Sequence, residues 1–106
     1  MDRGELLKIH RLTCRQARRL MDIKSAGYAP EDNPFANFTR VEAFGLTKTE
    51  TSILCRIVDK VSRLVSVSKG SRRTIDGFDK GETLEDACLD LINYVILFWA
   101  WRNNGK

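Results

Sequence analysis

The stretch Thr83–Arg102, TLEDACLDLINYVILFWAWR, decides the fold that we predict for this chain. It opens with a capping box, Thr83-Leu84-Glu85-Asp86, in which a hydroxyl at the cap is followed three residues later by a carboxylate. The residues after the box are apolar on nearly every side of a helix. A helix of that kind is typical of the centre of a bundle, so we predict a buried C-terminal helix.

Three further helices are predicted before it, and no segment shows the strict alternation of a β-strand. The first runs from about Gly4 to Lys24 and is strongly basic. Its apolar residues recur at spacings of three and four and therefore share one face of a helix. They are Leu6, Ile9, Thr13, Ala17 and Leu20.

The second predicted helix spans Asn33 to Phe44, with Asn33 as its N-cap, Pro34 at the first helical position and Gly45 as the C-terminal cap. Loops are predicted on its N-terminal side, at Ser25–Asp32, and later in the chain, at Ser68–Glu82.

A second capping box, Thr47-Lys48-Thr49-Glu50, predicts the start of the third helix, which should end near Val67. One broad apolar stripe is predicted to pack on the C-terminal helix: Ile53, Leu54, Ile57, Val58, Val61, Leu64 and Val65. The residues predicted on the opposite side are Ser52, Arg56, Asp59, Lys60 and Arg63.

Length and composition support one all-α domain over residues 1–106, a small bundle of about four helices. The net charge of +4 is mild for a dedicated nucleic-acid binder. No uncharged apolar run is long enough to span a membrane, and no secretory signal is recognisable at the N-terminus. The three cysteines form no CxxC pair, which argues against a disulfide framework or a zinc site and favours a reducing cytoplasm.

Asp86, Asp90 and Asn93 are spaced four and three apart, so they form a polar stripe on the predicted central helix. A carboxylate in an apolar stretch is costly unless it is paired or binds a metal. Asp90 therefore needs a partner: Arg56, Lys60 or Arg63 of the third helix, a basic residue of the first helix, or Mg²⁺. A buried ion pair and a ligand or metal site, with Asp86 and Asp90 as ligands, both remain open.

Other candidates are charged or aromatic. Asp59 and Arg63 are spaced for a local ion pair, and the basic face of the first helix is either solvated or grips phosphates. Phe98, Trp99 and Trp101 end the last helix and predict a homo-oligomer through this aromatic segment, with core packing as the alternative. The remaining basic candidates are Arg15, Arg19, Lys60, Arg72 and Arg73.

Three segments resemble a family of small phage proteins, the nucleotide modification associated domain 1 group, and they occur in the family's order. They are GYAPEDNPFANF from Gly27, DKVSRL from Asp59, and TLEDACLDLINY from Thr83. The layout is also distantly similar to MazG-type nucleotide pyrophosphohydrolases, which bind Mg²⁺ with acidic residues of two helices. The resemblance implies a small helical domain associated with nucleotide metabolism.

Three hypotheses follow: the first two depend on the resemblance, and the third depends on the Trp99/Trp101 end of the last helix or the Ser68–Glu82 loop. In the first, a phage-type protein in the host cytoplasm binds a nucleotide and sequesters it as a counter-defence device. Its cations would hold phosphates, Asp90 and Asn93 would orient them or contact base or ribose, and Tyr28 or Phe35 would stack on a ring. The second is a Mg²⁺-dependent nucleoside triphosphate pyrophosphohydrolase, although the first helix is basic and lacks the EExxE run of the MazG type. The third is an inhibitor of a host protein.

Overall fold

The chain folds as an all-α bundle of four helices in a computed structural model that describes residues 1–28, 33–70 and 83–105. The described part contains no strand, which confirms the predicted fold class. The helices are α1 (Arg3–Tyr28), α2 (Ala36–Ala43), α3 (Thr49–Ser68) and α4 (Leu84–Ala100), and a wider π-helical turn (Trp101–Gly105) follows α4. The most extensive contact is between α3 and α4, and α1 packs on another side of α4.

Helix α1 is longer than predicted, because it continues to Tyr28 instead of ending at Lys24. The loop predicted at Ser25–Asp32 is therefore wrong for its first four residues, and its remainder lies outside the described residues. At the other end, the Asp2 carboxylate accepts the Glu5 amide at 2.8 Å and so satisfies a donor that has no partner within the helix.

Helix α2 is shorter than predicted at its start and ends as predicted. The Asn33 side chain accepts the Phe35 amide at 3.0 Å, so it stabilises a turn before the helix, and the cap position itself is Phe35. At the C-terminus, Gly45 has a φ of 79°. Its amide donates to the Glu42 carbonyl, and the Leu46 amide donates to the Val41 carbonyl, which is the Schellman pattern that favours glycine.

The capping box predicted at Thr47–Glu50 is wrong, because the cap of α3 comes from another helix. The cap position is Lys48, which makes no side-chain cap bond. Instead, Oε1 of Glu42 on α2 accepts both the amide and the hydroxyl of Thr49, each at 2.7 Å. These bonds hold the pKa of the Glu42 carboxyl below its ordinary value of 4.5, with a smaller contribution from the charge of Lys48. An anion at a helix N-terminus is also favoured by the helix dipole.

Glu42→Gln is expected to remove part of the acid sensitivity of the fold. Because the pKa of Glu42 is lowered by folding, the unfolded chain takes up the proton first as the pH falls. The stabilisation from Glu42 is complete above its ordinary pKa and is lost as the pH falls through the lower, folded pKa. Urea unfolding at several pH values between 7 and 3 should give a gap between wild type and Glu42→Gln that closes towards acid pH. A gap that stays constant, or that also appears with the exposed control Glu85→Gln, would contradict this role.

Helix α4 begins with the predicted capping box and is buried on one face only. The Thr83 hydroxyl accepts the Asp86 amide at 3.1 Å, and the Asp86 carboxylate accepts the Thr83 amide at 3.0 Å. Ala87, Leu89 and Asn93 are buried, whereas the other face exposes several large apolar side chains. These are Leu84, Val95, Ile96 and Trp99. The expectation of a buried C-terminal helix is thus met by the inner face alone.

Helix α3 also differs from its predicted arrangement. Lys60, predicted on the polar side, is buried against α4, and half of the predicted apolar stripe faces outward. No helix in the described part of the chain is long and apolar enough to cross a membrane. Cys14, Cys55 and Cys88 are free thiols.

Candidate binding cleft

The candidate site is a cleft of about 370 Å³ to which all four helices contribute. Residues of α1, α3 and α4 line it together with residues of α2 and of the turn before α2. The charged, polar and aromatic residues that line it are Lys24, Asn33, Asn37, Phe38, Ser52, Arg56, Asp90, Asn93 and Tyr94. Clefts of this size are typical of sites for small molecules.

Asp90 lies at the centre of the site, between two lysines. Its Oδ1 accepts from Lys24 Nζ of α1 at 3.1 Å, and its Oδ2 lies 3.2 Å from Lys60 Nζ of α3. The side chains of Lys60 and Asp90 are 10% and 12% exposed, whereas that of Lys24 is 44% exposed. Two of the partners predicted for Asp90, Lys60 of the third helix and a basic residue of the first, are present, and the ion pair ties three helices together.

Cations outnumber carboxylates among the described residues that line the cleft. The lining includes one carboxylate, Asp90, and one ammonium group, Lys24 of α1. Arg56 of α3 is exposed and adds a second positive charge to the wall. A guanidinium and an ammonium beside a partly enclosed cleft favour an anionic ligand with several oxygen atoms.

Asn93 contributes an acceptor that has no partner. This residue is 8% exposed, and its Nδ2 donates to the Ala17 carbonyl of α1 at 2.9 Å. Its Oδ1 is buried without a hydrogen bond. A buried acceptor left unsatisfied costs about 1–3 kcal/mol.

Aromatic rings complete the cleft. Phe38 of α2 and Tyr94 of α4 meet edge to face, with centroids 6.3 Å apart and planes at 88°. Both rings line the cleft close to Asn37. They present apolar and hydrogen-bonding surface of the kind that holds a planar heterocycle.

The other predicted site residues lie elsewhere. Asp59 and Arg63 form a local ion pair of 3.6 Å on α3 and are not part of the cleft wall. Arg15 and Arg19 line a shallow groove along α1. The structure brings together Lys60, Asp90 and Asn93 of the predicted set, with Asp86 one turn before Asp90. Tyr28 ends α1 and its side chain is outside the described residues, as are Arg72 and Arg73.

The residues predicted as magnesium ligands do not fit a magnesium site as they lie. The Asp86 carboxylate is taken up by the cap of α4, and the Asp90 carboxylate is held by two ammonium groups. Within residues 1–28, 33–70 and 83–105, no three His, Cys, Asp or Glu side chains lie close enough together to hold a metal ion. The Mg²⁺-dependent reaction stays a prediction.

Sequence reasoning left four residues out of the candidate site: Lys24, Asn37, Arg56 and Tyr94. Lys24 and Arg56 were covered by the general expectation that cations of the first and third helices hold phosphates, and Arg56 was also a possible partner for Asp90. Tyr94 was predicted to lie on the last helix, without a role in a site. Comparison of the chain with family models, with curated proteins and with solved structures gave no significant match.

Proposed function

We propose that the protein binds a nucleotide in the cleft between its helices, with the phosphates at Lys24 and Arg56 and the base near Tyr94. The observation that carries the proposal is the charge of the site: among the described residues that line the cleft, two are cations, Lys24 and Arg56, and one is a carboxylate, Asp90. The role of Asp90 is to hold the two lysines in place. The resemblance of three segments to phage proteins associated with nucleotide metabolism supports the same ligand class.

The cleft suits a whole nucleotide better than a simple anion. Inorganic phosphate would use only the cations, whereas the amide of Asn37 and the ring of Tyr94 line the same cleft and offer hydrogen bonds and an apolar surface. The unsatisfied Oδ1 of Asn93 would accept from a ribose hydroxyl or a base amine.

Binding without turnover is the form of the proposal that the contacts support. The groups around the cleft hold charge and donate hydrogen bonds, and Asp90 is already engaged by two lysines. Sequestration of a host nucleotide signal by a phage-encoded protein is the biological role that we propose on this basis. The site of action would be the host cytoplasm, a reducing compartment in which three free cysteines are ordinary.

Native mass spectrometry of the protein, incubated with a mixture of linear and cyclic nucleotides and Mg²⁺, tests the proposal. Retention of one intact nucleotide is the expected result and identifies the ligand. Release of pyrophosphate with a monophosphate would instead establish the pyrophosphohydrolase. If no nucleotide is retained or consumed, the nucleotide-binding function is wrong.

Arg56→Ala is expected to weaken binding of the retained nucleotide by about 10- to 100-fold, because a charge-assisted hydrogen bond contributes about 1.5–3 kcal/mol. Titration calorimetry with the nucleotide measures this change. Arg3→Ala removes the same charge from the exposed start of α1 and is expected to leave the affinity nearly unchanged. Equal losses in both variants would mean that net charge, and not the cleft, holds the ligand.

A protein partner is the second candidate function, and Trp99 is the observation that favours it. This side chain is 65% exposed at the end of α4, and an exposed tryptophan is a frequent anchor in protein interfaces. The predicted oligomer contact at the aromatic end of α4 would use the same side chain. Trp101, by contrast, packs within the chain against Phe35, with ring centroids 5.2 Å apart.

A further inference from the structure

The outer face of α3 is apolar and carries no charge. Nine residues of α3 are exposed, and only one of them, Arg56, is charged; its side chain lines the cleft. In a chain with 30% charged residues, a solvent-facing helix surface without a charge needs an explanation. The uncharged exposed residues are Thr51, Leu54, Cys55, Val58, Val61, Ser62, Val65 and Ser68.

The apolar members of this face form a helical seam. Leu54, Val58, Val61 and Val65 are spaced four, three and four apart, which is the a/d repeat of helices that pack against each other. Their exposed fractions are 39%, 63%, 43% and 44%. We call these four residues the outer seam. Ile53 and Lys60, which are buried residues of the same helix, belong to a separate repeat.

We propose that the outer seam is the interface of a homodimer, in which α3 of one copy packs antiparallel against α3 of a second copy. In the antiparallel register centred between Asp59 and Lys60, Leu54 of each copy faces Val65 of the other, and Val58 faces Val61. Every apolar residue of the seam then meets an apolar residue. A two-fold interface requires this kind of self-complementarity, because the same surface is used on both sides.

The charges at the ends of the seam support the same register. The pairing that matches Leu54 with Val65 also sets Glu50, in the first turn of α3, opposite Lys69, which follows its last turn. Glu50 already accepts from Arg102 of its own chain at 3.1 Å, so Lys69 of the second copy would be a second cation beside the same carboxylate. Opposite charges therefore meet at both ends of the interface. A parallel pair would set Glu50 against Glu50 and Lys69 against Lys69, which is repulsive.

The other exposed apolar surfaces are less suited to a second copy. The first half of α1 exposes Leu6, Ile9 and Leu12, but Lys8 and Arg11 lie among them. Two such surfaces would bring like charges together in a chain whose net charge is already +4. The outer face of α4 around Val95, Ile96 and Trp99 is also uncharged, but Ile96 borders a groove lined by basic residues of α1, Arg11, Arg15 and Arg18, which two copies would bring together.

Sedimentation equilibrium of the full chain over a range of micromolar concentrations tests the inference. Wild type is expected to sediment at twice the 12.1 kDa of one chain. Val58→Glu is expected to weaken the dimer at least 100-fold and to leave a folded monomer, because position 58 is exposed within one chain. Trp99→Glu, which places the same charge at the aromatic end of α4, is the matched control and should leave the dimer intact.

A mixing experiment tests the register, and formation of a heterodimer would also show that both variants are folded. Val58→Glu and Val61→Lys are each expected to be monomeric alone. When the two variants are mixed, the glutamate at position 58 of one chain faces the lysine at position 61 of the other, and a heterodimer should form. A monomeric wild type, dissociation by Trp99→Glu but not by Val58→Glu, or no heterodimer on mixing would each overturn the inference.

The inference does not depend on nucleotide binding. The cleft uses Ser52 and Arg56, which lie on another side of α3 from the outer seam. Val58→Glu is therefore expected to leave nucleotide affinity unchanged while it removes the dimer.

Discussion

Asp90→Ala is expected to destabilise the protein by about 3 kcal/mol, the lower end of the cost of breaking a buried ion pair. The substitution removes the carboxylate shared by Lys24 and Lys60, so that two ammonium groups then face each other across the site. The estimate is at the lower end because Lys24 is 44% exposed and can be rehydrated. Urea unfolding, at one fixed protein concentration because dimerisation would add to stability, measures the change.

Two further variants separate charge from other effects. Asp90→Asn keeps the volume and removes the charge, and we expect it to lose nearly as much stability as Asp90→Ala. Asp59→Ala removes a carboxylate of a local, half-exposed pair on α3 and should cost less than about 1 kcal/mol. If Asp90→Asn were as stable as wild type, the charge of Asp90 would not be what joins the three helices.

The fold class and the need of Asp90 for a partner could be predicted because both depend on local patterns. Helical spacing, the capping box at Thr83 and the glycine at position 45 are each contained within a few residues of sequence. A lone carboxylate in an apolar helix is costly to bury, so the sequence alone indicates that it needs a partner. Which cations pair with Asp90 depends on how the helices pack, and the structure shows Lys24 of α1 and Lys60 of α3.

The orientation of α3 could not be predicted, because its sequence contains two parallel repeats. A fully apolar repeat consists of Leu54, Val58, Val61 and Val65. A second repeat, offset by one residue, consists of Ile53, Ile57, Lys60 and Leu64. Hydrophobicity alone favours burial of the first repeat or of both together. In the structure the second repeat faces inward, with Ile53 and Lys60 both buried, because Lys60 forms an ion pair with Asp90 of α4. The choice depends on a residue that is 30 positions away.

Contacts between helices also explain the other features that the sequence did not predict. Thr49 at the start of α3 is satisfied by Glu42, a residue of α2, and no local pattern contains both ends of that bond. The cleft likewise joins Lys24 and Arg56 from different helices. A basic helix predicts that phosphates could be gripped, but not that Lys24 faces the cleft while Arg15 and Arg19 lie in a shallow groove.

Ile53→Ala is expected to destabilise the protein by about 2–5 kcal/mol, a large part of the stability of a domain of this size. Ile53 is 0% exposed and is the largest fully buried side chain among the described residues. Truncation removes apolar contacts and leaves a cavity that the surrounding helices can fill only in part. The substitution should mainly weaken the packing of α3 on α4, which is the most extensive helix contact in the bundle.

Ile23→Ala is the matched control, because Ile23 lies on α1 with 65% of its surface exposed. The same atoms are removed from a helix in both variants, and alanine is the better helix former in each. Ile23→Ala should therefore change stability by less than about 0.5 kcal/mol. The pair tests which of the two repeats of α3 forms the core. If Ile53→Ala were tolerated and Leu54→Ala were not, α3 would be turned the other way, and both the ion pair at Asp90 and the dimer at the outer seam would have to be abandoned.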